Sequence, residues 1–128
     1  MAQSLLLIAH GSRRAEANAD LEHLAEILRQ TQQYIHVQPS YLELAEPNII
    51  EGGKLCAQFS PREIIMVPYF LSPGMHVRED LTAAQKELQQ LFPTIPILLA
   101  EPLGRHPLLV EVVKQRVAEI QQIENTTI

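Results

Sequence analysis

The chain has 128 residues, of which 46% are hydrophobic and 20% charged, which fits one domain and excludes wholesale disorder or separate cofactor and substrate domains. Lys plus Arg number 10 and Asp plus Glu 15, giving a formal net charge of −5, so a broad phosphate-gripping surface for nucleic acid is excluded while a local basic patch is not. The single cysteine, Cys56, excludes an intrachain disulfide and a cysteine metal cluster.

Leu5–Ala9 is continuously apolar, as expected of a strand covered by helices on both faces. The run is far too short to span a bilayer, and no basic segment of a signal peptide precedes it, so the expectation is a cytoplasmic protein with no membrane partner. His10-Gly11-Ser12-Arg13-Arg14 then turns the chain. The stretch from Ala15 to Gln30 predicts a helix, with Ala19, His23 or Leu24, Ile27 and Leu28 as its inner stripe and Glu16, Asp20 and Glu26 facing water. Ile35–Glu43 predicts a second strand, and Pro39 assigns it to a sheet edge. Asn48 is positioned to cap a helix from Ile49 to Phe59, which Gly52-Gly53 weakens.

Glu63–Phe70 predicts the third strand, with Pro68 marking where ladder bonding stops on at least one side. Leu71–Arg78 reads as a loop. Asp80 or Thr82 then caps a helix that runs to about Leu91. Pro93 and Pro96 bracket a turn before a fourth strand, Ile97–Ala100. The last helix starts near His106 with Pro107 in its first turn, where proline is tolerated because that amide has no intrahelical acceptor. Its inner stripe is Leu109, Val113, Arg116 or Val117, and Ile120, and a frayed tail covers about 124–128. Strands alternating with helices predict a single α/β domain over residues 1–128, a three-layer sandwich with a mainly parallel four-stranded sheet.

In open parallel sheets ligands collect beyond the carboxyl ends of the strands. His10 follows the first strand, Glu43 closes the second, His76 lies beyond the third and Glu101 follows the fourth. Imidazole binds borderline divalent metals and moves protons near neutral pH, while a carboxylate binds metal, orients histidine or accepts a proton. His10, His76 and Glu43 would together supply two nitrogens and one carboxylate, leaving positions for water or an incoming ligand. Glu46 and Glu101 are weaker alternatives. Arg13 and Arg14 precede a helix, where the helix dipole disfavours positive charge, and an anionic ligand would relieve that conflict. Arg78 and Arg105 repeat the theme at later strand exits, which points to a polyanionic small molecule. His23, His36 and His106 have no chemical set around them and read as structural. With 3 Phe, 3 Tyr and no Trp, there is no aromatic platform for single-stranded nucleic acid.

Leu7-Ile8-Ala9-His10-Gly11-Ser12-Arg13, Tyr41-Leu42-Glu43-Leu44-Ala45-Glu46-Pro47, the run from Val67 through Pro73-Gly74-Met75-His76-Val77-Arg78 to Asp80, and Ala100-Glu101-Pro102-Leu103-Gly104-Arg105-His106-Pro107 occur in that order. Together they resemble the small CbiX-type sirohydrochlorin chelatases of the class II chelatase group, over about residues 4 to 120. The resemblance implies insertion of a divalent metal into sirohydrochlorin, a tetrapyrrole with many carboxylates, with release of two protons. It implies that His10 and His76 are the paired catalytic, metal-handling histidines and that Glu43 is their acidic companion. Ser12, Arg13, Arg14, Arg78 and Arg105 are then the expected substrate-binding residues. The metal is expected as substrate, Co²⁺ ahead of Fe²⁺ with Ni²⁺ also fitting, and no permanent cofactor is expected. Larger relatives fuse two copies of this fold around a cleft, so half of that two-lobed architecture implies a homodimer. Two other readings stay open: a noncatalytic metal or tetrapyrrole carrier, and a histidine-phosphatase-like phosphotransfer enzyme, for which Ala9 stands where arginine is required.

Overall fold

Strands and helices alternate along the whole computed structural model, which describes residues 2–126. They are β1 (Gln3–Ala9), α1 (Ala15–Gln30), β2 (His36–Tyr41), α2 (Ile49–Ala57), β3 (Glu63–Pro68), α3 (Met75–Leu91), β4 (Ile97–Leu99) and α4 (Pro107–Thr126). The sheet order is β2-β1-β3-β4 with every pairing parallel. The register sets Leu7 of β1 between Pro39 and Val67. The expected α/β fold with its four-stranded parallel sheet is what forms.

Side chains alternate across a strand, and β1 supplies both cores for that reason. Leu6 and Ile8 pack with Ile64, Met66, Ile97 and residues of α2 and α3 on one face. Leu5 and Leu7 pack with Leu21, Ala25, Val37 and Tyr41 on the other. A buried leucine is worth about 1.5–3 kcal/mol, so the unbroken apolar run of β1 is the centre of both. β2 lies at the edge, as Pro39 predicts. Asn48 caps α2 by accepting from the Glu51 amide at 2.9 Å. Among the described residues every buried side-chain N or O has a partner, and no helix is long and apolar enough to cross a membrane.

Several expected boundaries and faces differ. The buried stripe of α1 is Leu21 and Ala25, flanked by half-buried Leu24 and Leu28, while Ala19, His23 and Ile27 are exposed. The spacing i, i+3, i+4, i+7 fits one helical face better than the expected set does. β2 ends at Tyr41, so Glu43 lies in the following turn, and β3 ends at Pro68 itself. α3 begins at Met75, not at Asp80 or Thr82. Gly74 is extended as its N-cap, and the Arg78 amide donates to Gly74 O at 3.1 Å. Thr82 Oγ1 instead donates to Arg78 O, one turn back. α2 stops at Ala57, and its Gly52 and Gly53 are buried where the helix meets Leu6, Ser40 and Leu88. Their cost in helix propensity is offset by this close approach. The expected inner stripe of α4 does not face the sheet: Val113, Val117 and Ile120 are exposed. The expected tail is helical as far as Thr126, and 127–128 lie outside the described residues.

Two outcomes follow from the packing. In Gly52→Ala the new Cβ meets Leu6 Cδ1 at 2.8 Å and Ser40 Cβ at 3.0 Å. Overpacking at about 1–3 kcal/mol outweighs a propensity gain of about 1 kcal/mol, so urea denaturation should show a less stable protein; a midpoint at or above the parent's would refute this. Burial pushes the Cys56 thiol up to about 12, which keeps it protonated and unreactive at pH 8. Ellman's reagent should label the chain only after unfolding, and rapid labelling of the native protein would contradict the packing.

Candidate functional site

Because the sheet is wholly parallel, the carboxyl ends of the strands and the starts of α1, α3 and α4 share one edge. His10 follows β1 directly. Gly11 adopts φ 98°, and a Cβ there would overlap the carbonyl oxygen of Glu43. Only glycine permits this combination of positive φ and close approach. The two segments are then zipped together, Leu42 N donating to Ala9 O at 3.0 Å and Glu43 N to His10 O at 3.1 Å. The result is a side-chain pair, His10 Nε2 to Glu43 Oε1 at 3.1 Å, with the two side chains 60% and 58% exposed. At that exposure water screens the pair, and its worth to stability is at most about 1 kcal/mol. What it provides is orientation: the carboxylate aims the imidazole, and water or an incoming cation reaches both.

The turn after His10 is held by a residue that the sequence reading does not single out. Asn18 Oδ1 accepts from the Ser12 amide at 3.0 Å, and Asn18 Nδ2 donates to Ser12 O at 2.8 Å. Buried Tyr41 donates through its hydroxyl to Asn18 O at 3.3 Å. Desolvation, with Glu22 adding to it, raises the Tyr41 hydroxyl pKa above its ordinary value, so it stays a neutral donor. An asparagine one turn into a helix, where it is intrinsically disfavoured, was the available signal. Ser12 Oγ accepts from the Arg14 amide at 3.1 Å, so this hydroxyl helps to start α1.

Two recesses hold some of the other expected site residues. One, of about 760 Å³, is lined by Glu43, Glu46 and Glu51 with Leu42, Leu44 and Leu55. The other, of about 630 Å³, is lined by Arg78, Arg105, Glu101, Ser72 and Leu109. Arg105 is carried by a tightly fitted loop. Its own φ is 66°, a Cβ on Gly104 would overlap Leu71 O, and Leu103 N donates to Phe70 O at 2.9 Å. Arg13 and Arg14 are exposed at the start of α1 and line neither recess. His76 is the second residue of α3 and is exposed. Among the described residues no group of three or more His, Cys, Asp or Glu is arranged to hold a metal ion. The structure therefore unites His10 with Glu43, and His76 does not complete a three-ligand set with them in one copy.

The CbiX family model matches residues 4–120. A chloroplastic sirohydrochlorin ferrochelatase of Arabidopsis thaliana is 35% identical over 116 residues, covering 91% of this chain and 52% of that protein. A sirohydrochlorin cobaltochelatase of Sulfolobus acidocaldarius is 28% identical over 123 residues, 96% of each chain. The sirohydrochlorin chelatase SirB from Bacillus subtilis subspecies spizizenii, solved in complex with cobalt, superposes with a TM-score of 0.83 at 28% identity, over 94% of this chain and 51% of that one. The chain thus spans about half the length of the Arabidopsis and Bacillus proteins.

The Gly11 contact is open to a direct check. Gly11→Ala forces an L-residue into a positive φ and against a backbone carbonyl, which should cost more than about 2 kcal/mol in urea denaturation. A loss below about 0.5 kcal/mol would mean that the two segments separate freely.

Proposed function

The chain belongs to the CbiX family, and from that premise we propose that it is a sirohydrochlorin chelatase, an enzyme that inserts a divalent metal ion into sirohydrochlorin. The observation that carries this is the exposed His10–Glu43 pair at the sheet edge that also holds one acidic and one arginine-lined recess. A divalent cation and a polycarboxylate need opposite fields, and these recesses supply both. The metal is the substrate. Glu43, Glu46 and Glu51 attract it, and His10 Nε2 and Glu43 Oε1 take it up between them in a weak, solvent-accessible complex, the ion replacing the proton of their hydrogen bond. Arg78 and Arg105 grip carboxylates of the macrocycle, with Ser12, Arg13 and Arg14 as further contacts at the start of α1.

Insertion of M²⁺ at the neutral ring centre releases two pyrrole protons, so charge there balances as four ring nitrogens replace the metal's outgoing ligands. Neutral His10 accepts one proton at Nε2 once the metal leaves it, and Glu43 stabilises the imidazolium at hydrogen-bond distance. His76 is proposed as the second acceptor. Ligation by one imidazole and one carboxylate is weak enough to let the ion go, which a closed four-ligand site would oppose. No resident cofactor is needed. Oxygen and imidazole donors accept Co²⁺, Fe²⁺ and Ni²⁺. Co²⁺ is proposed first and Fe²⁺ second, and relatives carry both names. One copy offers a single sheet edge, so two copies are proposed to enclose the macrocycle. A reducing, cytoplasmic setting suits the lone thiol.

The test is anaerobic insertion into sirohydrochlorin with each metal at controlled free concentration. The protein should accelerate insertion over the spontaneous rate, and His10→Ala with His76→Ala should lower that rate by about 10²-fold or more. No acceleration by the parent protein would favour the carrier reading. A folded double variant with an unchanged rate would remove the histidines from the mechanism.

A further inference from the structure

Four described residues other than glycine have positive φ, and three of them are polar. Gln32 and Ser60 follow the ends of α1 and α2, where their amides donate to Arg29 O at 3.1 Å and Ala57 O at 3.0 Å, an ordinary way to close a helix. Arg105 lines the recess of the arginines. Leu44, at φ 62°, is the apolar exception. The left-handed region suits glycine or asparagine, and a bulky apolar residue adopts it at a cost. Burial does not account for the choice. Leu44 is 51% exposed and belongs to neither apolar core, whereas Leu42 packs against one of them. A side chain that is both strained and exposed to water points to a use outside the fold.

Its place supplies the use. Leu44 follows Glu43, whose carboxylate lies 3.1 Å from His10 Nε2. The Glu43 amide donates to His10 O at 3.1 Å, so Leu44 is tethered one residue from the pair. In extended chain, neighbouring side chains point to opposite sides. The left-handed turn breaks that alternation, and Glu43 and Leu44 line the same recess with Leu42 and Leu55. A ring that takes a metal from His10 and Glu43 must bring its nitrogens within about 2 Å of the ion, so whatever stands beside Glu43 meets the ring. The glutamates of this recess repel the peripheral carboxylates, and an exposed leucine fits the apolar ring face and strips water from it. We infer that Leu44 is a substrate-selecting residue, lying against the face of the macrocycle while its carboxylates are held at the arginine-lined recess. This rests on the chelatase reading above. It assigns the backbone cost at residue 44 to substrate binding: a residue better suited to the turn makes a protein at least as stable and a weaker binder.

Leu44→Asn keeps the branched shape and suits the backbone, and Leu44→Met keeps the apolar surface. Leu44→Asn should have a urea midpoint at or above the parent's. Its Kd for metal-free sirohydrochlorin, read by fluorescence titration, should nevertheless rise about 5-fold or more, and its KM for sirohydrochlorin should rise with it. Its Kd for Co²⁺ alone should stay at the parent's value, and Leu44→Met should recover most of the lost sirohydrochlorin affinity. A folded Leu44→Asn protein that binds sirohydrochlorin as the parent does would overturn the inference and leave the chelatase reading standing. So would a solution mass that changes with the substitution, which would make Leu44 a contact between copies. A parent that does not bind sirohydrochlorin would overturn both. A parent that binds it without accelerating insertion would remove the chelatase reading alone, and the Kd comparison would still decide the role of Leu44.

Discussion

At Gly11 the chain runs so close to the backbone of Glu43 that no side chain fits between them. Everything chemical at the sheet edge depends on this contact. It brings the exit of β1 and the exit of β2 together, lets their amides and carbonyls pair, and so sets His10 against Glu43. Asn18 and Tyr41 support the same turn from beneath. The pair itself is exposed and contributes little to stability. The buried leucines of β1 supply the stability, and the edge is left free to bind and release.

The net charge of −5 describes the whole surface and conceals a division at this edge. Carboxylates gather in the recess beside the second strand, and Arg78 and Arg105 in the recess beside the fourth. Both recesses depend on backbone geometry that ordinary residues adopt reluctantly. Leu44 and Arg105 have positive φ, a conformation costing about 1 kcal/mol or more for a non-glycine residue. That strain is sustained by the hydrogen-bonded loops around it.

α4 shows how far local pattern and tertiary packing can part. Its apolar residues Val113, Val117 and Ile120 recur at helical spacing, yet within one copy they face outward. Burying these side chains is worth more than leaving them in water. Amphipathic spacing states that a face wants a partner; it does not state which molecule provides one.

By itself the sequence determined the strand–helix order, the continuously apolar β1, the edge position of the strand with Pro39, the cap at Asn48, and the placing of His10 and Glu43 at strand exits. These rest on local rules: periodicity, proline's missing donor, a side-chain oxygen before a helix. The tertiary structure decided which stripe of α1 faces the sheet, that Gly52 and Gly53 serve close packing, that His76 opens a helix instead of sitting in a loop, and that Asn18 braces the His10 turn. It also decided that His10 and Glu43, 33 residues apart, meet at 3.1 Å and that α4 turns outward. Each of these depends on the distance between segments remote in sequence, and no spacing along one chain encodes that distance until the sheet has brought them together.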